Sequence, residues 1–320
     1  MTKNIGASYR DKIKTHAKKN GIPAPLAFSN HVITGFLRRL AASEHADKFC
    51  LKGGLMMAVV AGDNSRPTSD VDLNGFESYT VEEMKVIMKE IMETPLLTAD
   101  GKPDDDGVIF NVDSASYGNV DAGTEFPGNQ IVTTASIGGT RVKFDAHVSF
   151  GYKINPRVSD VVFPNTLEND KGAGIKMYPV ETSIAEKMRA MIYFDSINSR
   201  VKDFYDIVRF SEVCNLNADE LKKAVLETCE YFGTEVVGPE SIAPLKEGGA
   251  EDFRSKWNGF LKKNRLQAED FDTVAERTKE FMGPVLDYIL DKGPNPGDWV
   301  PDQGWSNDAV GYQRKALMTA

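Results

Sequence analysis

The sequence predicts an α+β protein in which a small mixed β-sheet is covered by helices and followed by a helical C-terminal lobe. Three observations predict it. An apolar run from Phe49 ends in the glycine pair Gly53-Gly54 and precedes an alternating segment, Asp70-Val71-Asp72-Leu73. A β-rich run, Ile131 to Ile137, is joined to a cleanly alternating one, Thr140 to Val148, by Gly138-Gly139, a two-residue hairpin signal. Beyond Pro179 apolar residues recur mainly at helical spacing.

In chain order, residues 8 to 43 read as two helices broken by Asn20-Gly21-Ile22-Pro23-Ala24-Pro25, where glycine and proline interrupt the pattern. Thr80-Val81-Glu82-Glu83 is a capping box that opens a helix reaching Glu93. Residues 98 to 129 hold Asp104-Asp105-Asp106, several glycines and Pro127, and read as a strand-bearing insertion or loops with a solvated acidic run. Along Thr140 to Val148, Val142, Phe144, Ala146 and Val148 form one face, and Arg141, Lys143, Asp145 and His147 the other. Ile184, Met188 and Met191 share one helical stripe and Phe204, Ile207 and Val208 another, so the short connection Asp195 to Ser199 makes the two helices neighbours. Ala218-Asp219-Glu220 opens a further helix, and Phe271 to Leu290 carries the last. Lys292 to Gly297 is expected to end regular structure, with Trp299 and Trp305 docking the tail. The expected division is a core with its leading helices over 1–165 and a mainly helical lobe over 166–320.

Composition excludes several classes. No apolar run approaches a membrane span, and Met1 to Ile5 lack a secretory apolar region, so a cytoplasmic protein with no membrane partner is expected. Cys50, Cys214 and Cys229 lack metal-ligand spacing, and an odd number argues against a disulfide framework; Cys50 reads as a buried thiol. His16, His31, His45 and His147 are scattered, which indicates neither a zinc site nor a Ser-His relay. A net charge of −9 argues against nucleic-acid binding over the whole surface. The basic residues Arg10, Lys12, Lys14, Lys18, Lys19, Arg38 and Arg39 read as solvated helix faces, with phosphate contacts to an RNA as the alternative.

Asp70 and Asp72 carry the sharpest chemical signal. On a strand both carboxylates point to one face while Val71 and Leu73 enter the core. Such a pair suits a hard divalent cation, which takes oxygen ligands and shares its sphere with substrate phosphates. Gly53 and Gly54 lack a Cβ that would block a triphosphate from the backbone N–H groups, and the apolar stretch beyond would open a helix whose N-terminus favours anions. An isolated Asp-x-Asp is ordinarily a solvated turn; the hydrophobic flanks, the glycine pair and a polar loop carrying Arg66 favour a metal site. Asp145 is expected as a third carboxylate, although its position also suits a salt-bridged outer face. Lys187 and Asp203 either meet across their helix pair or both face the sheet, and a surface salt-bridge ladder is the plain alternative. Because Lys187 borders the apolar stripe, its stem is expected at the edge of the core, and its loss is expected to cost little stability.

Leu51-Lys52-Gly53-Gly54, the Arg66-x-Thr-Ser-Asp-Val-Asp-Leu segment, Glu181-Thr182 with Glu186-Lys187, and Arg200-x-Lys202-Asp203-x-Tyr205-Asp206 together resemble the AbiEii/AbiGii-type toxin family. These are nucleotidyltransferase-like toxins of bacterial and phage-defence toxin–antitoxin systems of type IV, and the matching blocks span residues 30 to 215 in the family's order. The resemblance implies a minimal nucleotidyltransferase fold, a nucleoside triphosphate donor, a divalent metal (Mg²⁺ or Mn²⁺), growth inhibition, and a cognate antitoxin. In characterised relatives the target can be the 3′ acceptor end of tRNA. By the same resemblance Gly53 and Gly54 contact donor phosphates, Asp70 and Asp72 hold metal, Lys187 contacts the triphosphate, and Asp203 has a polar role in that cleft. Arg66 and Lys202 also occupy motif positions. The chain departs from the general pattern in having Gly-Gly where Gly-Ser is common, and in marking the third carboxylate, Asp145, less sharply. A small-molecule nucleotidyltransferase of the antibiotic-inactivating kind, a phosphotransferase and a non-catalytic acidic binding module are the other readings of the same residues.

Overall fold

The computed structural model describes residues 4–62, 65–120, 128–151, 154, 158–167, 170–194, 200–242 and 250–307. Helix α1 (Ile5–Lys19) is capped by Asn4, whose side chain accepts from the Ala7 N–H at 3.1 Å. It ends where Gly21 turns the chain at φ +65°, and α2 (Ala24–Ala42) begins after Pro23, as the Asn20–Pro25 break predicts. Helix α2 buries Phe28, Val32, Ile33, Phe36, Leu37 and Leu40, a stripe too wide for a surface helix, because it lies across the sheet.

The sheet is built from β1 (Phe49–Lys52), β2 (Asp70–Gly75), β3 (Ile109–Phe110), β4 (Ser116–Val120), β5 (Gly128–Ile137), β6 (Thr140–Phe150), β7 (Ser159–Phe163) and β8 (Ala173–Met177). Its order is β3-β5-β6-β2-β1-β8-β7, with β4 also on β5. It is mixed, as expected: β2 runs parallel to β6, and β1 parallel to β8, while the other pairs are antiparallel. The β5–β6 hairpin turns on Gly138 and Gly139, both at positive φ (53° and 84°), the conformation that selects glycine in such a turn. A short helix, α3 (Met56–Val60), follows β1 through a 3₁₀ turn over Gly53–Leu55, and α4 (Val81–Glu93) opens on the Thr80–Glu83 capping box. The four middle strands place β2 beside both β1 and β6, which sets Lys52 opposite Asp72, Asp145 opposite Asp70, and His147 opposite Asp72.

The helical part comprises α5 (Val180–Phe194), α6 (Val201–Val213), α7 (Ala218–Phe232), α8 (Ala250–Asn264) and α9 (Phe271–Ile289). Two hydrophobic cores result. One gathers Phe36, Leu51, Val71, Leu73, Met88 and Phe144 around the sheet; the other gathers Ile184, Met188, Phe204, Ile207, Trp257 and Phe271 among the helices. Met56 enters the first and its neighbour Met57 the second, so the turn after the glycine pair is anchored in both. The sheet's last strand ends at Met177 and, Met57 apart, the second core begins at Val180, and we propose this join, rather than residue 165, as the division between the lobes.

Two expectations are corrected. The Asp104–Asp106 run is solvated only in part: Asp105 is exposed, but Asp106 is buried, Arg39 clasps it with two bonds of 2.7 and 3.0 Å, and His31 Nε2 meets its carbonyl at 2.9 Å. Gly35 permits this approach, since a Cβ there would stand 2.8 Å from an Asp106 carboxylate oxygen. Arg38 is likewise tied to Asp104 at 2.8 Å, so neither arginine belongs to a free basic face. The tail beyond Gly297 also continues as regular structure: β9 (Leu216–Asn217), β10 (Asp298–Val300) and β11 (Gly304–Ser306) form a second sheet. Trp299 and Trp305 dock it as expected, their indole N–H groups donating to the Ser211 and Phe281 carbonyls at 2.7 and 2.8 Å. The 195–199 connection and Pro127 lie outside the described residues. Among the described residues no helix is long and apolar enough to cross a membrane.

Candidate active site

A cavity of about 870 Å³ opens where the Gly53 turn and β2 face α5 and α6. It brings together Gly53, Gly54, Arg66, Asp70, Asp72, Lys187, Lys202 and Asp203, eight of the nine residues singled out from the sequence. Asp145 is the ninth and does not line it. It lies one ladder step from Asp70, where Lys143 and Gln130 donate to its carboxylate at 2.7 and 3.1 Å.

Strand alternation decides the carboxylates: Val71 and Leu73 are fully buried while Asp70 is exposed and Asp72 half-buried. Asp70 accepts a hydrogen bond from the Ser69 hydroxyl at 3.1 Å. The Asp72 carboxylate has no ion pair or hydrogen bond among the described residues, whereas the deep cations opposite it are paired. Gly53 makes its place. At φ +68° the residue is in the left-handed region, and a Cβ there would come within 2.9 Å of the Asp72 Cβ. Gly54 does the same for Arg66 and Thr68, whose side-chain atoms lie 3.1 Å from its absent Cβ. The helix expected after the glycines begins as a 3₁₀ turn and α3 has only five residues, so the backbone here acts through the turn rather than through a long helix dipole. Gly53→Ala therefore is expected to cost about 1–2 kcal/mol of stability through its positive φ and to displace the Asp72 carboxylate. Thermal melts paired with activity assays check it: activity should fall well beyond what the loss of folded protein explains.

Facing the aspartates is a buried ionic network. Arg66 holds Asp206 with two bonds of 2.7 and 2.9 Å, and Lys187 donates to Asp206 at 2.6 Å and to Asp203 at 3.2 Å. Arg200 completes it through Asp203 at 3.0 Å. Lys187 and Asp203 thus meet across the helix pair, but not on the surface: their side chains are only 10% and 2% exposed. The expectation that Lys187 could be removed at little cost is overturned, since its removal would strip a partner from two buried carboxylates. Burial alone would lower the Lys187 pKa, yet Asp206 and Asp203 raise it, so the ammonium stays charged. Burial likewise pushes Asp206 up, and Lys187 with Arg66 more than offsets this, leaving its pKa below the usual value. Lys202 is different: desolvation in the cleft lowers its pKa first, with Arg200, Arg66 and Lys187 adding to the fall and Asp203 opposing it. A second buried pair, Lys52 and Glu186 at 3.4 Å, lies behind Asp72, and there burial pushes the Glu186 carboxyl up against the opposing pull of Lys52.

The residues fit a divalent metal. Asp70 and Asp72 offer hard oxygen donors on one strand face, Asp72 is uncommitted, and the cradle opposite it would be filled by a Cβ at position 53. The network beyond them presents positive charge on a rigid frame, which suits a polyphosphate.

Sequence reasoning gave no role to Asp206, Arg200, Glu186 or His147. Asp206 was within reach, because Asp203 and Asp206 at i, i+3 share a helix face. His147 was the one histidine that the sequence puts near the site, on the Asp145 face, and strand register sets it opposite Asp72.

No curated protein matches the chain. MenT4, a nucleotidyltransferase toxin from Mycobacterium tuberculosis H37Rv, superposes with a TM-score of 0.51 at 12% identity, over 89% of this chain and 99% of that one, and shows the fold. JHP933 from Helicobacter pylori superposes with a TM-score of 0.43 at 13% identity, over 82% of this chain and 90% of that one. Residues 35–277 match the sequence model of the family described as nucleotidyl transferase AbiEii toxin, type IV toxin–antitoxin system. That match takes in the glycine turn, the aspartate pair, the ionic network and most of both cores, and the chain belongs to the AbiEii family of nucleotidyl transferase toxins.

Proposed function

We propose that the protein transfers a nucleoside monophosphate from a nucleoside triphosphate to an acceptor hydroxyl, the 3′ end of tRNA, with release of pyrophosphate and inhibition of growth. The observation that carries this reading is the uncommitted Asp72 carboxylate, beside Asp70, facing cations that are held rigidly across one cavity. When bound, Mg²⁺ or Mn²⁺ would be held by Asp70 and Asp72 and would neutralise charge developing on the donor's α-phosphate. Gly53 and Gly54 let the triphosphate approach the backbone, while Arg66, Lys187 and Lys202 orient it for in-line attack. Asp203 and Asp206 hold Arg66, Lys187 and Arg200 in place, so positive charge is organised before the substrate arrives. Asp145 would join the carboxylate set only by releasing Lys143. Restraint by a cognate antitoxin, a cytoplasmic location and action against phage complete the proposal and rest on family membership.

The test is incubation of the protein and its Asp72→Ala variant with total RNA, Mg²⁺ and each α-labelled nucleoside triphosphate in turn. Label in RNA of tRNA size, dependent on Asp72, is the expected result. Label confined to low-mass acceptors would replace tRNA by a small-molecule substrate, and Asp72-independent labelling would overturn the site.

A further inference from the structure

The cavity has a second wall that the chemistry above does not use. It is formed by the α1–α2 turn, with Ile22, Pro23, Pro25 and Leu26, and by the end of α8, with Lys263 and Arg265. The deep cations Arg66, Lys187 and Arg200 are each committed to Asp203 or Asp206. Lys263 and Arg265 are exposed, and neither has an ion pair or hydrogen bond through its side chain among the described residues. In a chain of net charge −9, two uncommitted cations within the cavity that holds the aspartates need a reason.

Favourable interaction with a helix C-terminus accounts for basic residues at the end of α8 in general. It does not account for the backbone at Arg265. The helix closes with Leu266 N–H on the Leu261 carbonyl at 3.0 Å and Arg265 N–H on the Lys262 carbonyl at 3.3 Å, which puts Arg265 at φ 55°. That left-handed position after a helix is ordinarily glycine, as it is after α7, where Gly233 occupies it at φ 59°. An arginine there, like Asp291 past the end of α9 at φ 55°, carries a backbone cost, and no hydrogen bond or ion pair of its side chain among the described residues offsets it. A ligand contact would recover it.

We propose that Lys263 and Arg265 bind the internucleotide phosphates of a single-stranded RNA acceptor, with its terminal base against the apolar wall of Ile22, Pro23, Pro25 and Leu26. This deepens the function proposed above and rests on it. The inner, paired cations serve the donor triphosphate, and the outer, unpaired ones select a polynucleotide over a small acceptor. Phosphate contacts confer affinity rather than base choice and weaken with salt.

The test uses the full chain carrying Lys263→Glu and Arg265→Glu together, both at exposed positions. Affinity for a fluorescent single-stranded RNA with a free 3′ hydroxyl should fall at least about tenfold, and its log–log salt slope should shrink by about 1.4, the value for two single-strand contacts. Affinity for the nucleoside triphosphate, measured without RNA, should stay within about twofold, and circular dichroism should match wild type. Unchanged RNA affinity and salt slope would overturn the proposal, as would equal loss of triphosphate and RNA binding. Loss of RNA affinity in the variant, alongside a wild type that labels no RNA, would sink the transfer reading and leave this surface standing. Label transfer to RNA that the double variant performs as well as wild type would do the reverse.

Discussion

Replacing Asp72 with alanine is expected to lower nucleotidyl transfer on the order of a thousandfold while leaving the melting temperature unchanged or slightly raised. The two halves of this expectation have separate causes. Asp72 is one of two carboxylates on the cavity face of β2, and removing either takes away half of the oxygen donor set that the Gly53 cradle leaves open. Its side chain has no ion pair or hydrogen bond among the described residues, so the substitution orphans no buried group. Without a cation Asp70 and Asp72 repel each other, and the variant relieves that repulsion. Thermal melts and α-label transfer measured on the same preparation separate the effects. An active variant would end the metal assignment; an unfolded one would show that Asp72 is structural.

Asp206→Ala is expected to do the opposite, costing about 3–5 kcal/mol, because it leaves two cations buried without their shared partner. Arg66 and Lys187 both converge on this carboxylate, which is fully buried. At about 2–4 °C per kcal/mol for chains of a few hundred residues, the melting temperature should fall by about 10 °C. The pH dependence has a definite sign. The Asp206 pKa is lowered in the folded state, so its contribution is present above the ordinary carboxylate range near about 4 and is lost as pH falls through the lower folded value. The Lys187 pKa is raised, so its contribution is present below about 10.4 and is lost as pH rises through the higher folded value. Between those limits the contribution of the Lys187–Asp206 pair is flat. Denaturant midpoints followed from neutral pH into the acid range should show a steeper acid loss in wild type than in Asp206→Ala, and parallel curves would contradict the assignment.

Local rules made much of this molecule legible. The Thr80 capping box, the Gly138-Gly139 hairpin and the Asp70–Leu73 alternation each contain their own physical cause within a few residues, and each stands where the sequence puts it. The cavity gathers the glycine pair, the aspartates, Arg66, Lys187, Lys202 and Asp203 because motif blocks fix which element ends meet. What escaped depends on partners distant in sequence. Asp106 reads as one of three solvated acids until Arg39 is seen to reach it from α2. Strands β9 to β11 are two or three residues long, too short for any periodicity to mark them, and β9 forms only because the distant tail strand β10 lies beside Leu216 and Asn217. Lys187 looks like an edge residue because its helix stripe says nothing of α6, which supplies Asp203 and Asp206. Asp145 faces the predicted side of its strand, but Lys143 two residues earlier on that strand and Gln130 on β5, rather than the cavity, take its carboxylate.

The central claim is that the cleft between the Gly53 turn and the α5–α6 pair directs attack at the α-phosphorus of a nucleoside triphosphate. The most direct measurement follows two labels through one reaction with Mg²⁺ and total RNA, one on the α-phosphate and one on the γ-phosphate, for wild type and Asp72→Ala. Wild type should move the α-label into the acceptor and release the γ-label as pyrophosphate, and the variant should do neither. Transfer of the γ-label with release of a nucleoside diphosphate would contradict it and make this cleft a phosphotransferase site.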